Sequence, residues 1–109
     1  MLFDKNKWGY VVAWEFRPKL GSETHFEEAY GPNGIWAQLF QQNDCFVATE
    51  LSRDAMDPGR YLTLDFWNSK SAYEKFRSEH VADYAAIDTQ CESLTELERE
   101  LGQFERLDR

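Results

Sequence analysis

Hydrophobic residues recur with two different periods along this chain. From Trp8 to Phe16 they alternate: Trp8, Tyr10, Val12, Trp14 and Phe16 share one face, and Gly9, Val11, Ala13 and Glu15 the other. A period of two, rich in aromatic residues, predicts a β-strand. Arg17-Pro18-Lys19-Leu20-Gly21 should end it, because Pro18 has no amide hydrogen for a ladder. Thr24-His25-Phe26-Glu27 has capping-box spacing, so a helix is expected to start near Ser22 to Thr24 and to carry Phe26 and Tyr30 on one face. Gly31-Pro32-Asn33-Gly34 breaks it, and a second short helix with Ile35, Trp36, Leu39 and Phe40 inward follows.

A second strand is expected over Cys45 to Ser52, then a turn built on Asp57-Pro58-Gly59, then a third strand over Arg60 to Trp67. Asn68 or Ser69 can cap the next helix, predicted from Ser71 to Gln90 with the stripe Tyr73, Phe76, His80, Tyr84, Ile87 and Cys91. Glu74, Lys75, Arg77, Glu79 and Asp83 fall on its solvated side. Leu94 to Glu100 is charged and ambiguous, and a last strand is placed near Leu101 to Leu107.

The resulting order, strand-helix-strand-strand-helix-strand, predicts an α+β fold. It is the ferredoxin-like βαββαβ arrangement, a four-stranded antiparallel sheet with the helices on one face. One domain over residues 1–109 suffices for this length. The third strand carries sizeable side chains on both faces: Leu62, Leu64 and Phe66 on one, Tyr61, Asp65 and Trp67 on the other. Helices cover only one face, so the other is expected to meet a second copy of the chain in a homodimer.

Charge narrows the partners. Twelve Lys and Arg against twenty Asp and Glu leave a net charge of −8. A field of that sign repels phosphate backbones and anionic lipids, which argues against nucleic acid and membrane surfaces. No apolar run approaches the length of a membrane span, and the opening Met1-Leu2-Phe3-Asp4-Lys5-Asn6-Lys7 does not resemble a signal peptide. Cys45 and Cys91 have no metal or redox spacing. Two histidines and two dispersed cysteines make no zinc or non-haem iron ligand set. No metal is expected, and a reduced, cytoplasmic protein is.

Trp67-Asn68-Ser69-Lys70-Ser71-Ala72-Tyr73, where the third strand meets the second main helix, resembles the Trp-x-Ser-x-x-Ala signature of the antibiotic biosynthesis monooxygenase (ABM) family. The order of elements over about residues 8 to 107 is similar as well. The stretches Tyr30 to Phe40 and Pro58 to Asp65 resemble a sub-branch whose members mostly lack an assigned activity. The resemblance implies a dimeric α+β barrel and oxygenation of a phenolic, anthrone-like or quinol substrate without flavin, haem or metal. A deprotonated electron-rich aromatic can pass an electron to oxygen itself. The protein then has to supply a dry cavity, an orientation and a proton acceptor.

Several residues are candidates for those tasks. His80 lies in the apolar helix stripe and would act as proton acceptor, against the plainer reading of a satisfied core histidine. Asp65 would orient His80 or bond a substrate hydroxyl; otherwise it pairs with Arg60, Arg99 or a backbone donor, since a buried carboxylate needs a partner. Trp14, Trp36, Tyr61, Trp67, Phe76 and Tyr84 would bind the small aromatic substrate as cavity walls, or serve as packing alone. His25, in the first turn of its helix, reads as a surface residue.

Three other functions compete with this one. Relatives that degrade haem on the same barrel use a Trp and a His on the second helix, where this chain has Phe76 and Ala86. RNA binding through the central strand would set Asp65 against phosphate. A non-catalytic, dimeric ligand-binding or stress-response protein of the same fold is the serious rival.

Overall fold

Four antiparallel strands form a single sheet in the order β2-β3-β1-β4. They are β1 (Tyr10–Pro18), β2 (Phe46–Arg53), β3 (Tyr61–Trp67) and β4 (Thr95–Glu105). Between them run α1 (Glu23–Tyr30), the short α2 (Ile35–Phe40), α3 (Lys70–Glu79) and α4 (Val81–Cys91). This is a computed structural model, and it describes residues 8–107. The opening stretch 1–7, in which no leader is expected, lies outside them. Among the described residues no helix is long and apolar enough to cross a membrane.

Alternation in β1 divides the sheet as its sequence predicts. Tyr10, Val12, Trp14 and Phe16 stand opposite Trp67, Asp65, Thr63 and Tyr61 of β3. This inner face packs against the helices, where Phe26, Phe40 and Phe76 complete an aromatic core. Rings interlock through it, Phe26 stacking on Tyr30 at 4.5 Å and Phe40 meeting Trp67 edge-on at 5.5 Å. Gly34 allows the tight passage from α1 to α2, because a Cβ there would lie 2.2 Å from the Ala29 carbonyl oxygen.

Among the described residues, no helix packs on the outer face. Val11 stands between Phe66 and Phe104, while Glu15 lies between Leu62 and Arg99. Glu15 is buried and holds two arginines, receiving Arg60 Nε and Arg99 Nη2 at 2.5 Å each. Arg60 reaches on to Asp54 at 3.2 Å, and Arg17 pairs with Asp57 of the β2–β3 turn. Phe104 and Leu97 remain partly exposed on the same surface.

Four local expectations are corrected. The capping box does not form: α1 begins after Ser22, and the Glu27 carboxylate accepts from the Tyr61 hydroxyl instead of returning to the helix end. The long helix expected from Ser71 to Gln90 is two helices, broken at His80, whose backbone leaves helical geometry (φ −122°, ψ 28°). Neither Gly nor Pro marks that break. The His80 ring holds it instead, stacked on Phe76 at 4.1 Å and bonded through Nδ1 to Asp83 at 2.9 Å.

The last two concern strand ends. β1 runs on through Pro18, tolerated as its final residue beside a register shift. β4 starts six residues earlier than predicted, at Thr95, because an exposed edge strand can be charged along its length.

Candidate active site

A cavity of about 140 Å³ lies between the inner face of the sheet and the helices. Trp14 from β1, Trp36 and Phe40 from α2, Asp65 and Trp67 from β3, and Tyr84 from α4 all line it. Its walls are therefore mostly aromatic, and Asp65 is the carboxylate that the central strand β3 contributes.

Strand register positions that carboxylate. Asp65 stands opposite Val12 on one side and Thr49 on the other. The Thr49 hydroxyl donates to Asp65 Oδ1 at 2.7 Å. No arginine compensates it, for Arg60 and Arg99, the expected partners, are both committed to Glu15 on the opposite face. Desolvation pushes the Asp65 carboxyl up to about 6, and the Thr49 bond offsets only part of that rise. A group titrating there can exchange a proton at neutral pH.

One wall residue carries an unsatisfied donor. Among the described residues, Trp67 Nε1 is enclosed without a hydrogen-bond partner, while the Trp36 indole is set against the Tyr30 hydroxyl and the Tyr84 hydroxyl against Arg77. All three residues line this cavity. Burial also pushes the phenols of Tyr30, Tyr73 and Tyr84 up, so each stays protonated. An indole nitrogen only donates, and a buried donor left unpaired costs on the order of 1–3 kcal/mol.

The other predicted residues lie elsewhere. His80 does not line the cavity, and its Nδ1 is taken by Asp83 on the protein surface. The expected convergence of His80 and Asp65 is therefore absent. Phe76 packs behind the wall, between Trp67 and His80, and Tyr61 bonds Glu27 at the far end of the strand. Arg77, expected on the solvated side, instead lies 4.7 Å over the Tyr84 ring and lines the cavity, as do Thr49, Asp88 and Glu98. Thr49 needs the β2–β3 register to be found, and Arg77 needs the break at His80.

The signature itself has a structural meaning. Trp67 is fully buried, and the Ser69 hydroxyl accepts from the Ala72 amide at 3.2 Å, capping α3. The family model for antibiotic biosynthesis monooxygenases matches residues 9–87. The chain belongs to this family.

Solved ABM-like structures share its fold over nearly the whole length. A monooxygenase from the ActVA-Orf6 gene of Streptomyces coelicolor, in complex with nanaomycin D, superposes with a TM-score of 0.73 at 13% identity, covering 100% of this chain and 96% of that one. SnoaB, a cofactor-independent oxygenase from Streptomyces nogalater, gives 0.66 at 15%, over 94% and 96%. A putative antibiotic biosynthesis monooxygenase from Deinococcus radiodurans gives 0.67 at 14%, over 92% and 94%. At these identities the likeness is one of fold. No curated protein sequence is a significant match. Among the described residues of this ABM protein, no three His, Cys, Asp or Glu side chains gather as a metal would require.

Proposed function

We propose that the protein is a cofactor-independent monooxygenase acting on a small phenol- or quinol-type aromatic molecule, with Asp65 as proton acceptor. Asp65 carries the reading: its carboxyl, raised to about 6, lies on the wall of an aromatic cavity with the Thr49 hydroxyl as its hydrogen-bond partner. The role expected of His80 passes to Asp65, because His80 is engaged by Asp83 outside the cavity.

The chemistry balances with dioxygen as the oxidant. The bound phenol or quinol reacts as its keto, anthrone-like tautomer, and the Asp65 carboxylate takes a proton from the C–H₂ carbon which that tautomer carries. The resulting carbanion gives one electron to oxygen, and the radical pair combines into a C–O–O⁻ adduct. Asp65 returns the proton to form the hydroperoxide, which loses water across the remaining C–H to leave C=O. The sum is CH₂ + O₂ → C=O + H₂O. The Trp14, Trp36 and Tyr84 rings wall the aromatic body of the substrate and orient it toward Asp65.

The working unit in this reading is a homodimer joined through the outer sheet face, where Leu62, Leu64, Leu97 and Phe104 offer apolar surface. Sedimentation should find two chains, and Phe104→Asp should shift them toward one. Free thiols at Cys45 and Cys91 suit the cytoplasm.

The deciding experiment is oxygen uptake by purified protein over a panel of hydroquinones and anthrones, with Asp65→Asn beside the wild type. Turnover that collapses in Asp65→Asn supports the reading. Turnover that survives removes Asp65 from the chemistry. Binding of these compounds without any uptake makes the protein a ligand carrier.

A further inference from the structure

Strand β2 does not pair with β3 in simple register. Phe46 stands opposite Trp67, yet Ala48 stands opposite Phe66, so Val47 is an extra residue in a β-bulge. Side chains on a strand alternate between faces, and one inserted residue exchanges the faces of everything beyond it. Without the bulge, Ala48 would oppose Asp65, and Thr49 would oppose Leu64 on the outer face. With it, Thr49 opposes Asp65 and joins the cavity lining. The bulge therefore sets the one side-chain hydrogen bond that Asp65 makes among the described residues.

That bond distinguishes the two carboxylate oxygens. Thr49 is buried, and a β-branched side chain has few rotamers, so its hydroxyl is held in place. It donates to Oδ1 at 2.7 Å. Among the described residues Oδ2 has no partner, and it is not enclosed, so it is open to the cavity that Asp65 lines. A hydroxyl bonds a carboxyl in either state, donating to the carboxylate or to the carbonyl oxygen of the neutral acid. Oδ2 can thus gain a proton and lose it again without the side chain turning.

We infer that Thr49 is a positioning residue: its hydroxyl, placed by the β2 bulge, holds Asp65 Oδ1 and leaves Oδ2 as the oxygen that takes the substrate proton and returns it. The inference rests on Asp65 being the proton acceptor proposed above. Because the bond favours the charged form, it also draws the carboxyl down against desolvation, and these are the two influences on it. The other titratable groups on the lining are Tyr30, Tyr73, Arg77, Tyr84, Asp88 and Glu98. Tyr73 and Tyr84 feel the Asp65 charge, which helps to raise both phenols, so neither changes charge while Asp65 titrates.

Titration of the Asp65 side chain by carboxyl ¹³C NMR, in the protein without substrate, tests this apart from turnover. Thr49→Val keeps the shape and removes the hydroxyl. The Asp65 midpoint, about 6 in the wild type, should rise by roughly one pH unit, the worth of one hydrogen bond to a charged group. In oxygen uptake the rising limb of kcat/KM should move up by the same amount. Plateau kcat should fall roughly tenfold at unchanged KM, as the carboxyl loses its orientation. Thr49→Ser keeps the hydroxyl and should restore the midpoint, the limb and most of the turnover. Thr49→Ala should repeat the Thr49→Val result, and decides the matter if Thr49→Val does not fold.

A midpoint unmoved by loss of the hydroxyl would overturn the inference and leave the Asp65 reading standing. An equal loss in Thr49→Ser would also overturn it and make Thr49 a packing residue. A midpoint that rises while the limb of kcat/KM stays in place would take the proton from Asp65 and overturn both. A midpoint that follows the hydroxyl, without oxygen uptake by the wild type from any quinol, would overturn the oxygenase and with it the part of Thr49 in catalysis.

Discussion

Two carboxylates occupy opposite faces of the same sheet, and their surroundings are opposite too. Glu15, on the outer face, is grasped by Arg60 and Arg99 and has its carboxyl lowered, chiefly by the Arg60 hydrogen bond. Asp65, on the inner face, has one threonine hydroxyl and a carboxyl raised by desolvation. The outer pair of charges is satisfied within the chain. The inner one is left nearly uncompensated, near a buried indole donor, Trp67 Nε1, that also lacks a partner. A fold tolerates unsatisfied groups of this kind where a ligand completes them, so the contrast separates what holds the sheet from what works on it.

The largest effect that could break this contrast comes from Asp65→Asn. Loss of a proton acceptor should lower oxygen uptake by about 10²-fold or more, and kcat/KM of the wild type should rise with pH through about 6. Stability should move the other way. A folded-state carboxyl raised above its unfolded value costs stability once both states are ionised, and that cost fades as pH falls from about 6 toward 4. The variant should therefore be more stable at pH 7, by on the order of 2 kcal/mol, with the advantage gone near pH 4. Denaturant titrations at the two pH values check the sign. A variant less stable than wild type at pH 7 would mean that Asp65 is a structural residue.

Glu15→Gln sharpens the other half. Its lowered carboxyl makes a stabilising contribution that is present above the unfolded carboxylate range and lost as pH falls through its own lower value. The substitution leaves two arginines without their carboxylate. Thermal melting should fall at pH 7, and the gap to wild type should narrow in acid. Turnover per folded molecule should change little, because Glu15 faces away from the cavity.

Much of the fold was readable before any coordinate. Alternation at Tyr10 to Phe16 and Leu62 to Trp67 is a one-dimensional signal, and so is the Trp67-to-Ala72 signature, whose serine caps a helix two residues after the buried tryptophan. Period groups Asp65 with Trp67 on one face of β3, and with Trp14, Trp36 and Tyr84 they line the cavity, but which face meets the helices came from the family resemblance and not from the pattern. The misses share a cause. His80 fits the helical stripe only if the helix continues, and a backbone break without Gly or Pro leaves no mark in the sequence. Thr49, Arg77 and Glu98 reach the cavity through strand register, a helix break and an edge strand, which are relations between distant segments. Glu98 was further hidden because an edge strand this acidic has no hydrophobic alternation.

A smaller change probes the buried indole donor. Trp67→Phe keeps an aromatic ring against Phe40 and Phe76 but removes the orphaned indole N–H. If that N–H bonds the substrate oxygen, affinity for a quinol should weaken by roughly five- to tenfold, the worth of about one hydrogen bond. KM should carry the loss if the bond is equal in ground and transition states; kcat should fall as well if it strengthens as charge develops. Unchanged KM and kcat would make the tryptophan a packing residue, as its complete burial alone would allow.

The smallest expected effect belongs to the residue that sequence pattern made most prominent. His80→Ala removes a ring stacked on Phe76 and an exposed pair with Asp83. Each contact is of a kind worth about 0.5–1 kcal/mol, so melting should fall by a few degrees for a domain of this size. Oxygen uptake should stay within about twofold of wild type, since a general base normally contributes far more than that. Phe76 lies between His80 and Trp67, so the substitution can reach the cavity only through packing. A tenfold loss of turnover at unchanged melting temperature would return the proton to His80 and leave Asp65 as its orienter.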